Sequence, residues 1–114
     1  MLVHNLCIEE DAYRIEQHVI PRHMPGGNLS AGKSIFGQGE DLLALAQRTT
    51  TAIGRRQADT GRIEYVIDAG RVIGKDVYGV DTSIYTVIRT GGRETYEDDF
   101  LEFGDLATMH PGAP

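Results

Sequence analysis

The chain has 114 residues, a net charge of −6, a single cysteine and no tryptophan, with 40% apolar and 25% charged residues. That is the size and balance of one domain that buries its own core, so residues 1–114 are read as one unit. Cys7 alone excludes an internal disulfide framework and a cysteine-rich metal site. No apolar run approaches the ~20 residues of a membrane span, no basic segment followed by an apolar stretch marks a signal peptide, and the acidity argues against a duplex-binding module, which carries a basic stripe.

The first predicted element is a helix. Ile8, Ala12, Ile15 and Val19 recur at helical spacing, Glu9, Glu10 and Asp11 sit at its start, and Pro21 is expected to stop it. Residues 24–28 (MPGGN) read as a loop. A second helix is predicted from Asp41 to Ile53, with Leu42, Leu45, Ala46, Thr49 and Ile53 on one face and Gly54 near its end. The remainder reads as extended. Ile63 to Ile67 is one strand, 68–71 (DAGR) a turn, and Val72-Ile73 opens a short strand that Gly79 terminates. Ser83 to Thr90 carries the clearest alternation, with Ile84, Thr86 and Ile88 on one face and Tyr85, Val87 and Arg89 on the other. Gly91-Gly92 is a turn, Phe100–Phe103 and Leu106–Met109 are short strands, and 112–114 is a tail. Helices followed by strands give an α+β fold, with N-terminal helices packed on a mainly antiparallel, twisted sheet.

Charge is unevenly distributed. Glu94, Glu97, Asp98, Asp99, Glu102 and Asp105 place six acids and no base in twelve residues; without them the chain has eleven acids and eleven bases. Such a block reads as a solvated loop or as a surface for a basic partner.

Chemistry-bearing residues are few. His18 and His23 lie five apart with no Cys or third His nearby to complete a metal site, so no metal is expected and acid–base chemistry near neutrality is the functional alternative. Gly32-Lys33-Ser34 resembles the end of a phosphate loop but lacks the preceding frame and strand; Lys33 remains a candidate phosphate cation. On a strand, Thr108 and His110 share a face, which places a hydroxyl beside an imidazole. No nucleophile-elbow motif surrounds Ser30, Ser34 or Ser83.

Together these strings resemble a family. Residues 18–23 (HVIPRH) are similar to the H-x-x-x-[RK]-H opening of the C-terminal ribonuclease domains of contact-dependent growth-inhibition and other polymorphic bacterial toxins. Residues 33–36 (KSIF) resemble the x-S-x-F that follows, 68–74 (DAGRVIG) the D-x-G-R-x-I-G turn, and 108–111 (TMHP) the closing T-A-[YF]-P. Tyr85 to Ile88 falls where a central strand is expected, and the matches run in order from Glu16 to Gly112. His110 stands where Tyr or Phe is more usual, and the acidic block is unlike a basic RNA-binding surface.

The resemblance implies an α+β ribonuclease, either ribonuclease-A-like or of the barnase, EndoU, colicin and RelE-like group. It implies RNA cleavage, often of tRNA, without metal or cofactor, a cognate immunity protein as partner, and export as part of a larger toxin that acts in the cytoplasm of a target cell. It places a catalytic histidine at His23, or at His18 instead, a cation at Lys33 and a hydrogen-bond donor at Thr108, with His110 or His18 as second acid–base group. The RNA 2′-hydroxyl would attack the adjacent phosphorus and leave a 2′,3′-cyclic phosphate. Tyr85 is either a base-stacking residue or core. Two other readings stay open: an interaction module without activity, whose histidines would be dispersed and solvated, and an NAD-consuming domain using Glu94 or Glu97.

Overall fold

The computed structural model describes residues 9–50, 52–92, 94–96, 99–101 and 103–114. Helix α1 covers 9–23 and changes pitch on the way: α-helical over 9–14, a π-helical turn at Ile15–Val19, and an α-helical turn at Ile20–His23. The amide of Ile20 donates to the carbonyl of Ile15, the i to i+5 bond of a π turn. Pro21, expected to stop the helix, instead sits in its final turn. A proline has no amide to donate and its ring crowds the carbonyl four residues back; the wider π turn provides that room. The helix ends at Met24, which is extended at φ −119° and ψ 152°, the region that the following Pro25 imposes.

The buried stripe of α1 is Asp11, Arg14, Ile15, His18 and Val19, while Ala12, expected on that face, is exposed; Ile8 lies outside the described residues. Helix α2 (Leu42–Gln47) is capped by Asp41, whose Oδ1 accepts from the Ala44 amide at 3.1 Å, and continues as a 3-10 turn at Arg48–Thr50. It buries Leu42, Leu45 and Ala46. The predicted extension to Ile53 does not form, and Ile53 is 96% exposed. The Thr49 hydroxyl donates back to the Ala46 carbonyl at 3.0 Å, the competition by which a threonine run ends a helix.

Among the described residues, nine strands form three antiparallel sheets. The main one has the order β2 (Arg55–Arg56), β3 (Ile63–Asp68), β6 (Ile84–Arg89) and β9 (Leu106–Pro111). A second joins β1 (Ile35–Phe36), β4 (Gly74–Lys75) and β5 (Asp81–Thr82), and a third pairs β7 (Glu94–Tyr96) with β8 (Asp99–Leu101). The fold is therefore α+β, with N-terminal helices on an antiparallel sheet. The short strand expected at Val72-Ile73 begins instead at Gly74. A Cβ on Gly74 would collide with the Ile35 carbonyl and Phe36 Cα, so the close approach of β1 and β4 requires glycine.

Register fixes the two faces of the main sheet. Tyr65, Val87 and Met109 align across it, as do Ile67, Tyr85 and Pro111, and this face meets the helices. Tyr85 is fully buried and its hydroxyl donates to the Leu45 carbonyl at 2.8 Å, so it is core and not a stacking platform. The opposite face aligns Glu64, Ile88 and Thr108, then Val66, Thr86 and His110. A bulge in β9 at Ala107, between the pairs Ile88–Thr108 and Arg89–Leu106, sets this alternation for the end of the strand. The expected tail is held at its start: the Gly112 amide donates to Ile84 and its carbonyl accepts from Thr86 Oγ1, both at 2.8 Å. In the acidic block the backbone of 94–96 and 99–101 is strand; Glu97, Asp98 and Glu102 lie outside the described residues.

The elements converge on Arg89. Its two terminal nitrogens reach both oxygens of Asp11 at 2.9 and 2.7 Å, Nε reaches Thr49 Oγ1 at 2.9 Å, and the carbonyls of Gly104 and Ala46 accept at 3.1 and 3.2 Å. All five guanidinium N–H groups are used. Gln47 adds a bond to Asp11 Oδ2. Removing one partner of such a buried pair strands the other. Asp11→Ala is expected to lower unfolding free energy by about 3–5 kcal/mol in urea titrations, and the apolar pair Asp11→Leu/Arg89→Met to recover most of it.

Candidate active site

The site forms where the second half of α1, the segment leading into β1, and β9 meet. Because β9 is an edge strand, α1 can lie against its free side, and its buried stripe delivers His18 to that strand. His18 is 2% exposed, and its Nε2 shares a 3.2 Å hydrogen bond with Thr108 Oγ1, ninety positions away. The Arg22 side chain folds back onto the His18 carbonyl at 3.1 Å.

One and a half turns on, half-buried His23 closes the helix. Its Nδ1 lies 2.7 Å from the Ser34 carbonyl. A carbonyl only accepts, so Nδ1 carries the hydrogen and Nε2 keeps its lone pair. His110 repeats the arrangement: its Nδ1–H donates to the Pro111 carbonyl at 2.9 Å. The two rings lie 5.8 Å apart between centroids, tilted by 36°. Burial pushes the His23 pKa down to about 4; the Ser34 carbonyl opposes this, and electrostatic repulsion from His110, His18 and Lys33 lowers it further. His23 is thus a neutral base across the physiological range.

Lys33 is exposed, next to the carbonyl that orients His23. Its loop leads into β1, a strand, so the anion-binding helix start of a phosphate loop is absent here. The structure therefore brings His18, His23, Lys33, Thr108 and His110 together around the end of β9. His18 differs from the other imidazoles in being sealed from solvent and committed to Thr108. Sequence reasoning missed the Ser34 carbonyl, because a backbone acceptor leaves no residue-type signal. Ser34 itself is buried, with 2% exposure.

The arrangement places two half-buried imidazoles, an ammonium and a hydroxyl on one small surface of an acidic chain, with the buried His18 imidazole held against the hydroxyl, a composition suited to an anionic group and to moving protons beside it. Among the described residues, no group of three His, Cys, Asp or Glu side chains is placed to hold a metal ion, and no helix is long and apolar enough to cross a membrane. Comparison with family models, curated proteins and solved structures finds no match.

The low pKa of His23 links this site to stability. Between pH 6.5 and about 4 the unfolded chain binds a proton that the folded His23 refuses. Its contribution is therefore intact above pH 6.5 and is lost as pH falls toward 4. The difference in unfolding free energy between wild type and His23→Asn, followed by denaturant titration across this range, should shift in favour of the variant as pH falls and stay constant above pH 7.

Proposed function

We propose that this chain is a metal-independent endoribonuclease domain that cleaves RNA by attack of the 2′-hydroxyl on the adjacent phosphorus, leaving a 2′,3′-cyclic phosphate. The observation that carries the reading is the pairing of His23 with His110. Two imidazoles from opposite ends of the chain face each other at 5.8 Å, each with Nδ1 tied to a carbonyl and Nε2 left for chemistry. That is an acid–base pair on the scale of one phosphodiester.

In this mechanism His23, neutral and holding its lone pair on Nε2, takes the proton of the 2′-hydroxyl. The oxygen attacks phosphorus, and the P–O5′ bond breaks. His110, as imidazolium, gives a proton from Nε2 to the departing 5′-oxygen, and the Pro111 carbonyl supports its charge. Lys33 balances the negative charge that builds on the non-bridging oxygens. Thr108 donates a hydrogen bond to one of them, and His18 positions Thr108: when His18 donates through Nε2–H, the threonine hydrogen is free to point at substrate. His18 is a positioning residue on this account.

The toxin resemblance extends the proposal to a domain exported on a larger protein, acting in a recipient's cytoplasm, and blocked by an immunity protein that covers this site. Clustered histidines favour catalysis over a module without activity; of the two glutamates an NAD-consuming domain would use, Glu97 lies outside the described residues.

Purified protein in EDTA should cut RNA to cyclic-phosphate ends. His23→Ala and His110→Ala should each lower kcat/KM by about 100-fold or more, and a 2′-deoxy substitution at the cut position should abolish cleavage. Undiminished cleavage by both variants, or cleavage of the 2′-deoxy substrate, would overturn the assignment.

A further inference from the structure

Beside His110 lies a cleft of about 570 Å³ that the cleavage chemistry does not use. It is lined by the turn joining β4 to β5, by Ile84, and by His110, Pro111 and the residues that follow. The turn is firmly built. The Asp76 amide donates to the Val80 carbonyl at 2.9 Å and the Gly79 amide to the Asp76 carbonyl at 3.0 Å. Asp76 Oδ1 accepts from the amides of Tyr78 and Val80 at 2.9 and 3.1 Å. Gly79 supplies the left-handed residue, at φ 78°. On this tip Tyr78 is 87% exposed, with Val77 and Val80 each 59% exposed. A well-anchored turn that holds a large aromatic ring in water gives that ring no part in the chain's own packing.

The lining also says what fits. It is mainly apolar, the Asp76 carboxylate stands in it beside the His110 imidazole, and it holds no lysine or arginine. A phosphate is repelled there, whereas a flat, weakly polar ring is accommodated. The His23–His110 pair lies directly alongside, and His110 belongs to both.

We propose that this cleft receives the nucleobase on the 3′ side of the scissile phosphate, with Tyr78 as its stacking platform. The inference rests on the ribonuclease reading, in which His110 faces the departing 5′-oxygen; the nucleoside that carries that oxygen is the one beside the cleft. Stacking on a tyrosine face tolerates any base, so the subsite adds affinity and register more than sequence selection.

The test is a nuclear magnetic resonance titration with three uncleavable 2′-deoxy dinucleotides: intact, abasic on the 3′ side, and abasic on the 5′ side. Loss of the 3′ base should weaken binding to wild type by about 5- to 100-fold, the span of base–aromatic stacking. Tyr78→Ala should erase that difference and Tyr78→Trp should keep it, with both variants melting as wild type does because the side chain is solvent-exposed. Equal binding of the intact and 3′-abasic ligands by wild type, or a difference that survives Tyr78→Ala, would overturn the proposal. Cleavage of the matching ribodinucleotide separates the two ideas. Cleavage without a 3′-base preference ends the cleft assignment and leaves the ribonuclease, whereas preference without cleavage supports the base site and ends the ribonuclease reading.

Discussion

The Arg89 guanidinium is the constraint on which the rest of this structure depends. It stands on β6 in the centre of the main sheet and spends its five N–H groups on α1, α2, the turn after it and the turn before β9. An arginine with 8% exposure tolerates burial only when every donor is met and its charge is balanced, and Asp11, with no exposure, supplies the balance. The pair fixes where α1 lies against the sheet. Since His18 and His23 ride on α1 while Thr108 and His110 ride on β9, the ion pair at one end of the helix sets the spacing of the site at the other.

Helix α1 must also be long enough to reach. Had Pro21 ended it, His23 would fall in a loop. The π turn at Ile15–Val19 absorbs the proline and carries the helix one turn further, and Pro25 then turns the chain out. The same turn contains His18. A local departure from α geometry thus coincides with the functional segment, as π turns in helices often do. At the other end the Ala107 bulge sets which side chains of β9 face the core, and Thr108 and His110 emerge on the opposite side.

Much of this was legible in the residues. The alternation of Ser83 to Thr90 locates the central strand and its two faces, with Tyr85, Val87 and Arg89 all buried on one and half-buried Ile84 and Ile88 flanking buried Thr86 on the other. The candidate set His18, His23, Lys33, Thr108 and His110 was visible as residue types in motif-like strings, although only the fold brings the two ends together. What stayed hidden has physical causes. Strands of two residues such as β1, β2, β4 and β5 are too short to show periodicity. The stripe of α1 is partly polar, with Asp11, Arg14 and His18 where a hydrophobic pattern looks for aliphatic residues, so the pattern assigns exposed Ala12 to it. The Ser34 carbonyl and the Tyr78 turn act through backbone geometry, which composition does not reveal.

The central claim is that His23 offers a neutral imidazole with its lone pair on Nε2 beside His110. The nitrogen-15 spectrum of the histidine rings at pH 7 tests it most directly. The account predicts that His23 is neutral, protonated on Nδ1 and unprotonated on Nε2, with the Nδ1 proton in a hydrogen bond to the Ser34 carbonyl. A ring protonated on both nitrogens, or one protonated on Nε2 alone, would leave no base facing the substrate and would contradict it.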